Sequence, residues 1–288
     1  MRGSVTVSAP AKLNLTLDVL GMREDGYHEM RMVMQSVSLC DTITLTAEPG
    51  EGDVRLSADL GFLPVDGKNL AVSAAQELRD ATGCDWGRLT IDLRKRIPVC
   101  AGTAGGSSDA AAVLRGLNEL LSLGLTPLQL AEIGARVGSD VPYCVLGGTA
   151  LCSGRGERVE PLPSLPPCWV VMAKPPFPIS TPELFSRVDA RRGRCHPDTE
   201  GVVKALADGD LSGVARRMYN VFEEVLPPRQ AKAVEELKRA LLTYGALGAC
   251  MSGTGPTVFG LFDREETAQE TYGEMKALAP DVFLIETV

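Results

Sequence analysis

Histidine is nearly missing from this 288-residue chain, which has only His28 and His196. That scarcity excludes a histidine-rich metal centre and leaves a Ser-His-Asp triad just two candidate bases. The eight cysteines (40, 84, 100, 144, 152, 168, 195 and 250) contain no C-x-x-C pair. They are expected to be mostly buried small hydrophobes in a reducing cytosol, not a disulfide framework. A basic surplus is missing too. Lys and Arg number 29 against 37 Asp and Glu, a net charge of −8. That makes the chain a poor candidate for sequence-independent nucleic-acid binding, which needs a basic face, and no nucleic-acid partner is expected. An anionic ligand must then be held by local basic groups or backbone N–H. The N-terminal residues lack an apolar h-region, so no signal peptide is expected and the cytoplasm is the expected location. Residues 240–262 carry no charge and reach membrane-spanning length, but Gly245, Gly248, Gly253, Gly255, Pro256 and Gly260 break them up. They read as helix end, strand, turn and strand, so no membrane partner is expected.

The length suggests two domains and ample core. Residues 5–19 alternate apolar and polar, the period of a half-buried strand, with a break or edge position expected at Pro10. The alternation puts Lys12 and Asn14 on one face. Further strands are expected at 30–39, 42–47, 53–58 and 88–93, and a helix at 69–82. The segment 98–106 reads as a loop before a helix at 107–121. Thr126, Pro127 and Gln129 form a capping box opening a helix that ends near Gly138. Residues 161–167 hold four prolines in seven positions, the best candidate for a seam. It divides the chain into 1–160 and 161–288. The second part reads as a strand at 168–173, helices at 181–188, 198–207, 210–219 and 229–243, strands at 247–251 and 256–262, a helix at 264–276 and a strand at 282–287. That mixture is an α+β signature.

Three segments could carry chemistry. The run Pro98-Val-Cys-Ala-Gly-Thr-Ala-Gly-Gly-Ser-Ser-Asp109 feeds a Gly-rich loop into a helix. Unpaired backbone N–H groups and the helix dipole make such a junction an anion site. It is neither a Walker A loop nor G-x-G-x-x-G, and Arg94-Lys95-Arg96 supplies positive charge just before it. Taken alone it is equally a plain loop with a serine N-cap. The second segment, Gly138-Ser-Asp-Val-Pro142, holds Asp140 between a glycine and an X-Pro step, which alone is an ordinary Asp turn. The third, Ser252-Gly-Thr-Gly-Pro256, lies between two apolar strands and alone is a turn.

Their order along the chain is more telling. Pro-Ala-Lys-Leu-Asn on a first strand, a Gly-Gly-Ser-Ser loop-helix and Ser-Gly-Thr-Gly-Pro near the end resemble the GHMP kinase superfamily. SAPAKLNLTLDVLG with Asp25-Gly-Tyr-His28, then GGSSDAAA, GSDVPY, GRGE and MSGTGPTVF, look like the branch that phosphorylates 4-diphosphocytidyl-2-C-methyl-D-erythritol. The resemblance runs from about residue 7 to 262. It implies an N-terminal ATP-binding domain like ribosomal protein S5 domain 2 and a C-terminal ferredoxin-like α+β domain. It implies transfer of the ATP γ-phosphoryl to the substrate's 2-hydroxyl. The sequence itself leaves monomer and homodimer both open. Asp140 is then the base taking the hydroxyl proton, and Lys12 the cation that holds Asp140 ionised and steadies the attacking oxygen. Lys95, Pro98, Val99, Cys100, Ala101, Gly102, Thr103, Ala104, Gly105, Gly106, Ser107 and Ser108 would bind ATP, with Ser108 a Mg²⁺ contact. Asp109 would serve the helix dipole. Tyr27 and Phe185 would stack on the cytosine, His28 would read its edge, and Asn14 and Thr181 would make polar substrate contacts. His196 has no matching role.

The loop departs from the usual P-x-G-A-G-L-G-G-G-S-S: Cys100, Thr103 and Ala104 replace Gly, Leu and Gly. Either the backbone at 100 and 104 already has negative φ, or the nucleotide sits differently. Two rivals follow. One is another GHMP kinase, such as a homoserine or mevalonate kinase. The other is a non-catalytic ligand-binding protein on the same scaffold.

Overall fold

The computed structural model describes residues 3–50 and 52–288. Met1 and Arg2, part of the leader reading above, lie outside the described residues. Strand β1 (Gly3–Met22) runs through Pro10 without a break. Its apolar face is buried as the alternation predicts, but from Lys12 onward the polar face is buried too. Lys12, Asn14, Thr16 and Asp18 are each 4% exposed or less. The half-buried strand of the sequence is thus a strand with a buried polar row, and every polar group in that row needs a partner. The two strands expected at 30–39 and 42–47 are one, β2 (His28–Glu48), because no glycine or proline at Cys40-Asp41 turns the chain.

Strand β3 (Arg55–Ala58) precedes α1 (Leu70–Thr82), where Asn69 caps the start and Gly83 ends it at φ 67. After β4 (Arg88–Arg94), α2 (Gly105–Leu120) begins two residues before the expected start. The capping box opens α3 (Pro127–Val137) as expected. Three unanticipated short elements follow: α4 (Val141–Leu146), β5 (Thr149–Gly154) and β6 (Arg158–Pro161). Beyond the proline cluster come β7 (Trp169–Lys174), α5 (Thr181–Ala190) and α6 (Thr199–Ala207). The helix expected at 210–219 is only α7 (Leu211–Ala215). It gives way to β8 (Tyr219–Asn220) and a turn of 3₁₀ helix at Val221–Val225. The cause is Asn220: its side chain donates to the carbonyls of Met251 (2.8 Å) and Gly253 (2.7 Å) and accepts from Phe222 N–H. Helix α8 (Pro228–Thr243), β9 (Gly248–Met251), β10 (Val258–Phe262), α9 (Glu265–Met275) and β11 (Asp281–Glu286) complete the chain. The uncharged stretch at 240–262 divides among the end of α8, β9, a turn and β10. Among the described residues no helix is long and apolar enough to cross a membrane.

Two compact units interleave along the chain. The first comprises the described residues up to Ala11, then 40–99 and 104–147. In it Thr42–Glu48 of β2 pairs antiparallel with β4, and β3 pairs parallel with β4. Helices α1, α2, α3 and α4 pack on one another. Leu45, Ile91, Leu93, Leu114 and Leu117 are sealed from water, each contributing about 1.5–3 kcal/mol by burial.

The second unit comprises 12–39, 100–103 and 148–288. Met30–Gln35 of β2 pairs antiparallel with β5, and β6 extends that edge. Thr16 and Leu17 pair parallel with β8. A separate antiparallel sheet has the order β11-β7-β10-β9. Counted along the chain that order is 4-1-3-2, with α8 packed on β9 and β10 and α9 on β7 and β11. This is the β-α-β-β-α-β ferredoxin-like arrangement, with α5, α6, α7 and β8 inserted after its first strand. All eight cysteines are free thiols. Cys144, Cys152, Cys168 and Cys250 are buried and Cys100 and Cys195 exposed, so the expectation of burial holds for half of them.

Candidate active site

In the first unit, the loop-helix junction begins without a serine cap. The N-cap of α2 is Ala104, in the left-handed region (φ 56, ψ 30), and no side chain caps the helix. The first helical bond runs from Ser108 N–H to the Ala104 carbonyl (2.8 Å). The amides of residues 105–107 therefore lie ahead of the helical ladder, where an anion is the natural acceptor. Ser108 is buried, and its hydroxyl donates to the Pro10 carbonyl (2.6 Å). Asp140 is the N-cap residue of α4 and is half-buried. It holds helical φ and ψ and its side chain makes no cap bond, so the expected non-helical turn is in fact the start of a short helix.

Lys95 was expected to approach the nucleotide, and Asp109 to serve the helix dipole. Instead, the Lys95 ammonium lies between two carboxylates, bonding Asp41 and, at 2.7 Å, Asp109. All three side chains are 5% exposed or less. Asp41 also accepts from the N–H groups of Arg96 (2.5 Å) and Ile97 (2.8 Å), so it ties the exit of β4 in place. Asp109 Oδ1 is buried without a hydrogen-bond partner. Burial pushes the Asp109 carboxyl up to about 7, and the neighbouring Asp41 charge adds to this while Lys95 opposes it. The basic run before the loop therefore offers Arg94 and Arg96 to solvent, with Lys95 neutralised inside.

In the second unit, backbone contacts lace together the tip of the loop, the first strand and the 252–256 turn. The Lys12 N–H donates to the Thr103 carbonyl (3.2 Å) and Lys12 Nζ to Asn14 Oδ1 (2.6 Å). Asn14 Oδ1 also accepts from Gly253 N–H (2.9 Å), and Asn14 N–H donates to Ser252 Oγ (3.2 Å). Ser252 Oγ donates to the Gly102 carbonyl (2.9 Å), and Thr257 N–H to the Ala101 carbonyl (3.4 Å). The approach requires glycine. A Cβ on Gly102 (φ +77) would lie 2.1 Å from the Ser252 carbonyl oxygen. Thr103, which replaces an apolar residue of the superfamily pattern, is buried with a hydroxyl that has no partner.

Cys100 and Ala104 hold φ 53 and 56. Negative φ, one of the two ways the loop could have absorbed these substitutions, is therefore excluded. A left-handed residue with a Cβ costs about 1–2 kcal/mol. Cys100→Gly and Ala104→Gly should each raise unfolding stability by about 0.5–1 kcal/mol, after glycine's greater chain entropy is subtracted. Urea denaturation reads this directly, and a fall in stability would contradict the strain.

The Asp25-Gly-Tyr-His28 element is a turn fixed by its own charges. Arg23 N–H donates to the Tyr27 carbonyl (2.7 Å), and Tyr27 N–H to Asp25 Oδ1 (3.1 Å). That Tyr27 N–H holds the Asp25 carboxyl below its usual range, and the Arg23 guanidinium does the same for Glu29. Glu29 in turn accepts from Gly154 N–H (3.0 Å), which joins the turn to the GRGE segment. Tyr27 is exposed, with the Arg155 guanidinium 4.9 Å from its ring. His28 stacks on Phe185 at 4.5 Å, and Phe185 meets Phe222 edge-on at 5.0 Å. Thr181, at the start of α5, hydrogen-bonds Thr254 (2.9 Å).

Within the second unit the fold thus brings together Lys12, Asn14, residues 100–103 and the 252–256 turn, and separately His28 with Phe185. The first unit holds Lys95, Pro98, Val99, residues 104–108 and Asp140. Sequence reasoning missed Asn220, Asp41 and the job of His196, whose Nδ1 meets the buried Asp18 carboxylate at 2.9 Å.

Residues 69–148 match the family model for the GHMP kinases N terminal domain, and residues 202–281 that for the GHMP kinases C terminal domain. The chain is 46% identical over 281 residues to the 4-diphosphocytidyl-2-C-methyl-D-erythritol kinase of Geobacillus kaustophilus (strain HTA426), covering 98% of this chain and 96% of that protein. It is 45% identical over 281 residues to the same-named kinase of Enterococcus faecalis (strain ATCC 700802 / V583), covering 97% and 98%. A crystal structure of a 4-(cytidine 5'-diphospho)-2C-methyl-D-erythritol kinase superposes with a TM-score of 0.81 at 32% identity, covering 98% of this chain and 99% of that one.

Proposed function

The chain belongs to the 4-diphosphocytidyl-2-C-methyl-D-erythritol kinases of the GHMP kinase family, and from that premise we propose how its residues divide the work. It is an ATP-using phosphotransferase with an alcohol acceptor. It phosphorylates 4-diphosphocytidyl-2-C-methyl-D-erythritol on the methylerythritol phosphate route to isoprenoid precursors. Such a transfer needs alignment, charge stabilisation and a proton acceptor more than covalent help.

The acceptor is the substrate's 2-hydroxyl, and Asp140 takes its proton. Lys12 supplies the positive charge for the attacking oxygen. Residues 98–108 wrap the ATP phosphates, chiefly with backbone N–H. Lys95 serves that loop from beneath, since its ammonium is already held by Asp41 and Asp109. Tyr27 and Phe185 hold the cytosine, His28 reads its edge, and Asn14 and Thr181 contact the polar substrate. The observation that carries this reading is the lacing of Lys12, Asn14, the loop tip and the 252–256 turn. It places an ammonium, an amide side chain and a bend of Gly-rich backbone within hydrogen-bond reach of one another. Along the sequence we keep the seam at residue 160, between the two stretches that match the family, although 12–39 and 100–103 fold with the later part. The cytoplasm is its location, as a monomer or homodimer.

Mg²⁺ fits this residue set as a companion of ATP. Among the described residues no group of three or more His, Cys, Asp or Glu could hold a metal, so ATP's own phosphate oxygens would be its main ligands. Ser108 would add its hydroxyl, whose hydrogen is used on Pro10 while the oxygen lone pairs can meet a cation. The ion would neutralise charge on the transferring phosphoryl group.

The deciding experiment is an ATP-dependent phosphorylation assay on a substrate panel. Only the cytidylyl methylerythritol should turn over. Turnover of homoserine or mevalonate instead would mark another GHMP kinase. Saturable ATP binding with no turnover of any substrate would mark a binding protein. The exposed Cys100 offers a check on the loop. Alkylating it should lower activity, and bound ATP should protect it. Full activity after complete modification would argue against its place beside the phosphates.

A further inference from the structure

Helix α5 carries a residue that the functional reading leaves unused. Thr181, Phe185 and Asp189 are spaced four apart, so they share one face of the helix. Thr181 and Phe185 already have substrate roles in that reading. Asp189 meets His28 Nε2 with both carboxylate oxygens, at 2.9 and 3.1 Å. The same His28 ring lies stacked on Phe185, one turn earlier on the helix, and its side chain is 11% exposed. Ring and carboxylate are thus held from two directions, by a stack and by a two-oxygen hydrogen bond.

A carboxylate only accepts hydrogen bonds, so the nitrogen facing it must carry the proton. In the neutral ring that fixes the other nitrogen, Nδ1, as a lone-pair acceptor. Cytosine and uracil differ at N3 and at position 4 of the base, and an acceptor that favours cytosine is one aimed at position 4. Cytosine presents an exocyclic N4–H₂ donor there, whereas uracil presents a carbonyl oxygen. An acceptor facing N4–H₂ gains a hydrogen bond, and facing O4 it meets a second lone pair. A site built to pair with a donor discriminates strongly against an analogue that lacks it.

We propose that Asp189 is the specificity-determining positioning residue of this kinase, fixing the His28 tautomer with Nδ1 as acceptor so that a cytidylyl substrate is preferred over its uridylyl counterpart. The proposal rests on the reading of His28 as the group that faces the base. Asp189 acts only through His28, so its loss weakens binding and selection without touching the phosphoryl transfer itself.

The test compares the wild type with Asp189→Leu and Asp189→Asn, using the cytidine and uridine diphosphate esters of methylerythritol. Asp189→Leu should raise KM for the cytidylyl substrate about tenfold or more and leave kcat within about threefold. The ratio of kcat/KM between the two substrates should fall about tenfold or more. Asp189→Asn keeps an oxygen acceptor and should retain most of the preference. Nitrogen-15 histidine spectra give a second readout, and they are simple because the chain has two histidines. His28 should be the Nε2–H tautomer in the wild type and a mixture in Asp189→Leu. An unchanged substrate ratio in Asp189→Leu, or an unchanged His28 tautomer, overturns the proposal. A wild type that phosphorylates neither substrate overturns the functional reading, while the tautomer measurement still judges the Asp189–His28 link by itself.

Discussion

Asp140→Asn should reduce kcat by about 10²–10⁴-fold, the range associated with loss of a positioned general base, while ATP affinity stays nearly unchanged. The melting curve separates chemistry from folding. Asp140 begins α4 without a side-chain cap bond to it, so the substitution takes no cap from the helix. Its φ of −85 and ψ of −11 are open to asparagine, which has almost the same volume. The amide differs in one respect that matters, because it cannot accept the hydroxyl proton. In a loose transition state that proton leaves late, so a carboxylate is basic enough, but some acceptor must be present when the new P–O bond forms. The measurement is a single-turnover assay alongside ATP binding and a melting curve. A melting temperature within about 2 °C of wild type together with lost turnover supports the assignment. Wild-type turnover by the variant would remove Asp140 from its role.

What the sequence disclosed in advance follows the range of the interactions. The capping box of α3 was readable because Thr126 and Gln129 are three residues apart and answer each other alone. The loop-helix junction at 98–108 was readable because glycines followed by a helix are a local pattern. The hydrogen bonds of Asn220 were not, since its partners are the carbonyls of residues 251 and 253, and the helix expected just before it, at 210–219, gave way to them. The burial of the polar row on β1 was equally hidden. Alternation reveals which residues share a face, whereas the protein packed against that face is set by distant chain. The loop substitutions show both sides at once. Their identities at 100, 103 and 104 could be read against a superfamily pattern, but the sign of φ at 100 and 104 belongs to the folded backbone. Asp189 lay between these cases. Its spacing from Phe185 was visible, but a half-exposed acid at the end of a helix looks like any other until His28 is seen against it.

Lys95→Met should destabilise the protein by about 3–5 kcal/mol, the cost of removing one partner from a buried charge pair, and lower its melting temperature on the order of 10 °C. Methionine fills similar space, so the loss is electrostatic. Without the ammonium, Asp41 and Asp109 face each other in a dry site. Only the Asp41 oxygen that accepts from Arg96 and Ile97 remains hydrogen-bonded. Asp109→Asn separates this from packing and gives the pH dependence its sign. Burial raises the Asp109 carboxyl from 3.8 to about 7, so the folded protein keeps a proton that the unfolded chain releases. That contribution to stability is complete below pH 3.8 and is lost as pH rises towards about 7. Asparagine has no such proton to lose. The variant should match wild type near pH 4, exceed it above pH 7, and flatten the pH dependence between. Urea denaturation across that range measures all three. If Asp109→Asn proves less stable than wild type at pH 8, the Lys95–Asp109 attraction outweighs the burial of the second carboxylate. If Lys95→Met costs under about 1 kcal/mol, the two carboxylates find water or a shared proton, and the ammonium is not what holds the base of the 98–108 loop together.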